Sequence, residues 1–254
     1  MTIVYAHRGA AAELPENTLP SFRRALELGA DALETDVHLT ADDEIVAVHD
    51  PDGNRVAGTV RTVRSVTLRE VQRWDAGHAF VAPGGERPFV GHGFRIPSLA
   101  ELLGELPEIR LNIDLKSEEP RLVERFIDIV RHHGAEARVV AASFQAGTLA
   151  HLRARGWRGE SSLARREFIA CWLVPSWLRR SRPPGTRAQI PTRSGPIPLA
   201  TRATVAKLHR IGLAVDFWTI NDPDDARRLV ALGADGIMTD DPARIVPAVR
   251  GAGG

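Results

Sequence analysis

Strand-like runs alternate with helical patterns along almost the whole 254-residue chain. Eight runs have the length and pattern of strands, namely IVYAH (3–7), DALETDV (31–37), IRLNIDL (109–115), RVVAAS (138–143), RGESSL (158–163), TRAQI (186–190), LAVDFW (213–218) and DGIMT (235–239). Helical patterns separate them at residues 18–29, 98–106, 120–133, 145–155, 199–211, 222–232 and 241–250. Because such a repeat buries each strand beneath the helices that flank it, the chain is predicted to form an α/β fold with a parallel sheet.

Eight strands separated by helices favour a closed parallel (β/α)8 barrel, the TIM barrel. A doubly wound open sheet is the alternative. It is weakened because the first strand is followed by RGAAAE and not by a G-x-G-x-x-G turn. In a barrel of this kind the active site lies at the carboxyl ends of the strands.

One strand-like run, EIVAVHD (44–50), does not fit the alternation. It follows the second strand after TADDE, which is far too short for a parallel crossover. The run is therefore predicted to return as an antiparallel hairpin on an Asp42-Asp43 turn. With those two residues as the loop, His49 falls opposite Asp36 on the same face, and a slip of one residue would keep the two close.

Residues 51–97 also interrupt the barrel pattern. They are rich in Gly, Pro and Arg, and they contain one short helical pattern around LREVQRW. Their length exceeds that of a normal barrel loop. We expect a single domain over residues 1–254, with residues 51–97 as an insertion subdomain after the second strand.

Composition restricts the kind of partner. The formal net charge is +1, which does not call for nucleic acid as a ligand. The single cysteine, Cys171, can form neither an internal disulfide nor a thiolate zinc site, and a cytoplasmic location is expected. No apolar run approaches the length of a membrane span, so a soluble chain is expected.

Three carboxylates fall at predicted strand ends. Glu34 and Asp36 are two residues apart and therefore share one face of the second strand. Asp114 lies near the end of the third predicted strand, IRLNIDL (109–115). Three hard oxygen donors suit Mg²⁺ or Ca²⁺ better than Zn²⁺.

Cationic and titratable side chains accompany these carboxylates. Arg8 and Lys116 can take up charge on the non-bridging oxygens of a phosphate ester, as the metal would. His7 and His49 can transfer protons near neutral pH, one from a nucleophile and one to a leaving alkoxide. Each motif alone also has an ordinary interpretation as a strand end, surface pair or salt bridge. Their convergence at one end of a barrel favours a site for a phosphate ester.

The chain resembles the glycerophosphodiester phosphodiesterases over nearly its whole length. The motifs that carry the resemblance are AHRG (6–9), PENT (15–18), GADALETDVHLTADDEIVAVHD (29–50), IPSLAELL (96–103), LNIDLK (111–116), SF (143–144), QIP (189–191), FWTIND (217–222) and GADGIMTDDP (233–242). The segment at 29–50 is the most specific. The resemblance implies a TIM barrel with a small insertion, and cleavage of a glycerophosphodiester to sn-glycerol 3-phosphate and an alcohol.

The resemblance also implies roles for individual residues. Glu34, Asp36 and Asp114 would be the metal ligands, and His7 and His49 would be the general acid/base pair. Arg8 and Lys116 would contact the phosphate, and Trp218 would pack against the alcohol. Glu16 and Asn17 would shape the site near the first strand. The metal would be Mg²⁺ or Ca²⁺, with Mn²⁺ as a further candidate. The third ligand position often reads Glu in this family, and the shorter Asp114 withdraws the oxygen by about one methylene.

The segment REFIACWLVPSWLRRSR (166–182) departs from the family pattern by combining aromatic, aliphatic and arginine residues. Such a segment can lie on a membrane surface. The interpretation that the sequence favours is a helix packed on the barrel rim, with Pro175 bending it. Membrane contact would favour a second hypothesis, a lysophospholipase D-like phosphodiesterase acting on lipids. The third hypothesis is a non-catalytic phosphate-binding barrel.

Overall fold

A computed structural model of the protein describes residues 1–174 and 181–251. Its strands are β1 (Ile3–His7), β2 (Ala32–Leu39), β3 (Ile45–Ala47), β4 (Arg110–Leu115), β5 (Val139–Ala142), β6 (Glu160–Ser161), β7 (Arg187–Pro191), β8 (Arg193–Ser194), β9 (Ile197–Pro198), β10 (Ala214–Trp218) and β11 (Gly236–Thr239). Its α-helices are α1 (Leu19–Glu27), α2 (Asn54–Ala57), α3 (Leu68–Val71), α4 (Leu99–Glu105), α5 (Pro120–His132), α6 (Ala146–Ala154), α7 (Arg165–Leu173), α8 (Arg202–Arg210), α9 (Pro223–Leu232) and α10 (Pro242–Gly251). Short 3₁₀ turns lie at Val63–Ser65, Ala76–Ala79 and Glu136–Arg138.

The barrel consists of eight parallel strands in the order β6-β5-β4-β2-β1-β11-β10-β7. A parallel bridge between Ser162 and Arg187 joins the two ends of this order, next to β6 and β7. The predicted (β/α)8 barrel is confirmed, and the open doubly wound sheet is wrong. The helices cover the outside, so β2 is buried along its whole length, as strands of a parallel sheet are.

The two-residue period of β2 divides its side chains between two environments. Leu33 and Val37 belong to the apolar layer under the helices, where Phe22 of α1 also packs. Glu34 and Asp36 therefore point to the opposite face, into the barrel. The same alternation thus builds the outer core and delivers the carboxylates to the interior.

The hairpin forms, but the predicted register is wrong by one residue. β3 pairs antiparallel with β2 so that His38 faces Val46, and Val48 donates its N–H to the carbonyl of Asp36 at 2.9 Å. Asp36 is therefore opposite Val48, and His49 is one position further along the chain. His49 and Asp36 nevertheless line the same cavity, described below.

A three-residue turn causes the shift. Thr40 and Glu44 bracket it, with the Glu44 N–H donating to Thr40 Oγ1 at 2.9 Å. Asp43 has a φ of 58°, the left-handed conformation that Asp adopts more readily than most residues. The turn therefore contains one residue more than the pair of aspartates suggested.

The insertion between β3 and α4 has a small hydrophobic core of its own, and this core continues onto the hairpin. Its buried residues are Val46, Val48, Val56, Val63, Val66, Val71, Ala76 and Ile96. α3 begins with a capping box in which Thr67 and Glu70 satisfy each other's backbone N–H groups. The insertion is thereby fixed against the hairpin that carries His49. The single-domain interpretation of residues 1–254 stays a prediction.

The described residues of the 166–182 segment are 166–174, which belong to α7 and its end, and 181–182. Cys171 is buried and Trp172 donates its Nε1–H to Thr204 Oγ1 at 3.3 Å, so one face packs on the barrel. Ile169, Leu173 and Val174 are exposed on the other side. Pro175, Trp177, Leu178, Arg179 and Arg180, which the sequence interpretation also used, lie outside the described residues. No helix within residues 1–174 and 181–251 is long and apolar enough to cross a membrane.

A buried ion pair lies inside the barrel below the site. Arg187 contacts both carboxylate oxygens of Asp216, with Nη2–Oδ1 at 2.5 Å and Nε–Oδ2 at 2.7 Å. Asp216 is fully buried. Two aligned charge-assisted hydrogen bonds offset the cost of placing these charges in the interior. Removing Asp216 would leave the buried Arg187 with only its longer contact to the partly exposed Glu160, with Nη1–Oε2 at 3.2 Å.

We expect Asp216→Ala to lower the free energy of unfolding by about 3–5 kcal/mol, as for other broken buried pairs. The matched control is Asp224→Ala, which removes the exposed Arg227–Asp224 pair of the same 2.5 Å length. Screening by water should keep its effect within about 0.5 kcal/mol. Urea unfolding measures both, and equal effects would contradict the importance of burial.

Candidate active site

A cavity of about 430 Å³ opens at the carboxyl ends of the barrel strands. One side is polar and is lined by His7, Arg8, Glu34, Asp36, His49, Asp114 and Lys116. The other side is largely apolar and includes Phe144, Leu163, Phe168, Ile169, Ile190, Leu199 and Trp218. The cavity thus brings together eight of the residues that the sequence singled out. The other two, Glu16 and Asn17, are outside its lining.

Strand register brings the three carboxylates together. Asp36 of β2 is directly beside Asp114 of β4 in the parallel pairing, and His7 of β1 is beside Glu34 of β2. Glu34, Asp36 and Asp114 are all buried. Because burial disfavours charged carboxylates, their ionisation depends on neighbouring cations.

Lys116 is the nearest such cation for two of them. Its Nζ lies 2.7 Å from Asp36 Oδ1 and 2.7 Å from Asp114 Oδ2. Burial raises the pKa of Asp36, but Lys116 and then Arg8 outweigh it and hold the pKa below its usual value. For Asp114, burial outweighs Lys116, so its pKa is raised.

Glu34 is the least compensated of the three carboxylates. Burial and the charge of Asp36 raise its pKa from the ordinary 4.5 to about 8. Its Oε2 and the Oδ1 of Asp114 find no hydrogen-bond partner in the described part of the chain. Buried oxygens without partners are the expected state of ligands that a cation would satisfy.

The donor chemistry therefore fits a divalent metal, although the side chains are not arranged around one. Within the described ranges, no three His, Cys, Asp or Glu side chains form a group that could hold a metal ion as they stand. The Lys116 ammonium contacts one oxygen each of Asp36 and Asp114. Metal and ammonium would therefore share these two carboxylates.

His7 is oriented by an aspartate from the far end of the chain. Its Nδ1 lies 2.6 Å from Asp240 Oδ1, and Asn221 Nδ2 donates to the other oxygen of Asp240 at 2.7 Å. The His7 Nε2 is 3.8 Å from Glu34 Oε2. Burial lowers the pKa of His7, but Glu34 and the hydrogen bond to Asp240 outweigh it, so the pKa is raised.

His49 has the same kind of partner. Its Nδ1 lies 2.7 Å from Oδ1 of Asp50, the next residue in the chain. An aspartate on Nδ1 favours the tautomer that carries its proton there and leaves Nε2 for other chemistry. The two histidines of the cavity are therefore held in matching ways.

Arg8 owes its position to the turn after β1. Arg8 has a φ of 58° and Gly9 a φ of 91°, and a Cβ on Gly9 would lie 2.4 Å from Ser21 Oγ. Only glycine fits there. The Arg8 Nε lies 3.0 Å from Asp36 Oδ2, an ion pair without hydrogen-bond geometry, since neither atom has a hydrogen-bond partner in the described chain.

Glu16 and Asn17 support this turn from behind. Glu16 Oε1 accepts from Arg8 Nη1 at 3.2 Å. Asn17 is buried, its backbone N–H donates to the Arg8 carbonyl, and its Oδ1 accepts from Thr35 Oγ1 at 2.8 Å. Both residues therefore hold Arg8 in place next to β2.

An aromatic corner closes the apolar side. The rings of Phe144 and Trp218 meet edge to face at 88°, with centroids 5.7 Å apart. Lys116 Nζ lies 5.8 Å from the centroid of the Phe144 ring. The corner thus stands directly beside the charged cluster.

Sequence comparison identifies the family. Residues 7–244 match the model of the Glycerophosphoryl diester phosphodiesterase family. This chain belongs to that family. A glycerophosphodiester phosphodiesterase of Caldanaerobacter subterraneus subsp. tengcongensis is 33% identical over 258 residues, covering 99% of each chain.

Solved structures share the fold of this phosphodiesterase-family chain. A putative glycerophosphoryl diester phosphodiesterase of Silicibacter pomeroyi has a TM-score of 0.78 at 27% identity, over 100% of this chain and 94% of its own. A phosphodiesterase of Oleispira antarctica, solved with the product sn-glycerol-3-phosphate, has a TM-score of 0.80 at 23% identity, over 98% and 97% of the two chains. The predicted family membership and enzyme class are confirmed.

Three further residues of this phosphodiesterase-family site were given no role from the sequence. Asp240 and Asp50 each hold a histidine, and Arg55 contacts Glu16 and Asp50. The adjacency of Asp50 to His49 was an available signal. Nothing local in the sequence links Asp240 to His7 across 233 positions, because the closure of the barrel makes that contact.

The raised pKa of Glu34 predicts how stability depends on pH. In metal-free protein, folded Glu34 keeps a proton that the unfolded chain releases above its ordinary pKa. That contribution is fully present below about pH 4.5 and is lost as the pH rises through about 8. We expect Glu34→Gln to gain free energy of unfolding relative to wild type as the pH is raised between these values. Urea unfolding in chelator measures this difference, and a difference independent of pH would contradict the assignment.

Proposed function

We propose that this chain hydrolyses glycerophosphodiesters to sn-glycerol 3-phosphate and an alcohol with the help of a divalent metal. The observation that carries the proposal is the cavity itself. Two aspartate-held histidines, three buried carboxylates and two cationic side chains line one side of it. Membership of the phosphodiesterase family supports the same reaction.

Glu34, Asp36 and Asp114 are proposed to hold the metal, with Mg²⁺ or Ca²⁺ favoured and Mn²⁺ as a further candidate. Their unpartnered buried oxygens support this role. A bound divalent ion would polarise the phosphoryl group and take up charge that develops on its oxygens. Arg8 and Lys116, which already contact these carboxylates, would bind the remaining non-bridging oxygens.

His7 and His49 are proposed to transfer the protons. One takes a proton from the attacking hydroxyl or water, and the other gives a proton to the leaving alkoxide. Their aspartate partners keep each ring oriented during the transfer. Trp218, in the aromatic corner, would pack against the alcohol that leaves.

A cytoplasmic location is proposed from the single cysteine, Cys171.

We expect His7→Ala and His49→Ala to fold normally and to lose turnover by about 100-fold or more, the usual contribution of a general acid or base. The matched control is His209→Ala, because His209 forms an exposed pair with Asp235 at 2.6 Å and does not line the cavity. Release of glycerol 3-phosphate from glycerophosphocholine, with circular dichroism for folding, measures the effect. A His49→Ala variant with the wild-type rate would eliminate the proposed mechanism.

Removal of divalent ions should abolish turnover of the wild-type enzyme, and adding Mg²⁺, Ca²⁺ or Mn²⁺ back in turn should restore it. The reason is that the three buried carboxylates are negatively charged when ionised, so a cation must bind to them before a phosphate group can approach. Asp114→Asn should require more metal for half-maximal activity than wild type. Full activity in chelator would contradict metal dependence while leaving the hydrolysis itself intact.

One observation favours a second candidate, a lysophospholipase D-like activity. Five of the exposed large apolar residues are grouped in the segments that follow β5, β6 and β7, namely Phe144, Ile169, Leu173, Val174 and Ile197. Phe144 and Ile169 also line the apolar side of the cavity. Arg165 and Arg166 are exposed at the start of the same helix, α7. An apolar, basic rim beside the cavity suits a lipid substrate presented by a membrane surface.

Under this second candidate, the enzyme turns over lysophosphatidylcholine faster than glycerophosphocholine and sediments with anionic vesicles. Leu173→Glu and Ile197→Glu should then weaken vesicle binding, since each puts a charge on the rim without touching the cavity lining. Val60→Glu, at an exposed position of the insertion, is the control. No sedimentation and a preference for glycerophosphocholine would leave the first candidate alone. Binding of glycerol 3-phosphate without turnover of any diester would instead indicate a non-catalytic barrel.

A further inference from the structure

Arg55 joins two parts of the site from outside the barrel. It belongs to α2 in the insertion, and its side chain is 43% exposed. Its Nη1 and Nη2 donate to the two carboxylate oxygens of Glu16 at 2.8 and 2.7 Å. Its Nε donates to Asp50 Oδ2 at 2.6 Å. One guanidinium therefore holds two carboxylates at once.

Each of these carboxylates also holds a residue of the cavity. The second oxygen of Asp50 lies 2.7 Å from His49 Nδ1. Glu16 Oε1 accepts from Arg8 Nη1 at 3.2 Å. A continuous chain of charge-assisted hydrogen bonds thus runs from His49 through Asp50, Arg55 and Glu16 to Arg8.

We propose that Arg55 is a positioning residue that sets the orientations of His49 and Arg8 together. The inference rests on the proposed function, in which His49 transfers a proton and Arg8 binds phosphate. It gives the insertion a part in the reaction, since the insertion supplies the guanidinium that joins Asp50, at the end of the hairpin, to Glu16, in the loop after β1. Arg55 itself does not line the cavity.

The chemistry of the link requires arginine. Three nitrogens of one planar group make the three contacts, and a lysine ammonium is a single point that cannot form the two-oxygen contact with Glu16 and also reach Asp50. Burial raises the pKa of Glu16, but hydrogen bonds from Arg55 and the charge of Arg8 outweigh it and lower the pKa. Glu16 is thus an anion that Arg55 and Arg8 share.

An anchoring role for the insertion alone predicts something different. Arg61 is also in the insertion, is similarly exposed and forms an ordinary surface pair with Glu70 at 3.2 Å. If Arg55 only anchored the insertion, Arg55→Ala and Arg61→Ala could differ in their free energy of unfolding, but both would keep the wild-type kcat and KM. If Arg55 positions the site, only Arg55→Ala should change the kinetic constants.

The test is steady-state hydrolysis of glycerophosphocholine by the metal-loaded enzyme. Asp50→Asn should lower kcat about 10-fold with KM within about 2-fold of wild type, because it disturbs proton transfer. Glu16→Gln should chiefly raise KM, about 5-fold, because it disturbs the phosphate contact. Arg55→Ala should both lower kcat and raise KM, and Arg61→Ala should change neither constant. These isosteric variants test both arms even if Arg55→Ala folds poorly.

A double variant makes the test decisive. Arg55→Ala combined with Asp50→Asn should have a kcat within about 2-fold of the lower single variant, because both act through His49. The inference would be overturned, and the proposed function kept, by either of two results. One is a double variant whose loss of kcat is the product of the two single losses. The other is wild-type kcat and KM for Arg55→Ala while His49→Ala is inactive. A fully active His49→Ala would overturn the proposed function and the inference with it.

Discussion

The structure depends on compensating three carboxylates buried at one end of the barrel. Glu34, Asp36 and Asp114 stand where side chains are shielded from water, and burying them as isolated anions would cost more than a domain can provide. Lys116 between Asp36 and Asp114, Arg8 against Asp36, and a raised pKa at Glu34 meet that demand. The positions of the surrounding groups follow from this requirement, because each cation must itself be held.

The parts of this arrangement that depend on short repeats were predictable from the sequence. The period of two in β2 puts Glu34 and Asp36 on one face, and the strand–helix alternation predicts a barrel that carries β4 beside β2. The ten candidate residues follow from these two regularities and from the family resemblance. Eight of them line the cavity, and Glu16 and Asn17 support Arg8 from behind.

Other parts depend on contacts that no local pattern encodes. The hairpin register shifted because Asp43 adopts a left-handed conformation, a choice between two short turns that differ little in sequence. Asp240 reaches His7 only when the last strand closes on the first. Arg55 reaches Glu16 only after the insertion has folded on its own small core. Tertiary packing decided these three outcomes.

The two sides of the cavity belong to different parts of the chain, and this division has a consequence for specificity. The charged groups come from β1, β2, β4 and the segments next to them. The apolar wall comes from later parts of the chain, with Phe144 after β5, Leu199 after β7 and Trp218 at the end of β10. Each charged residue is held by another charged residue of the cavity or by Glu16, Asp50 or Asp240, so a substitution in most of the apolar wall leaves those hydrogen bonds intact. Phe144 is the exception, because Lys116 lies over its ring. Under the proposed function, the alcohol that the site accepts can therefore diverge while the charged side stays the same. Phe144 is the position at which a change in the apolar wall would also disturb the carboxylates, through Lys116.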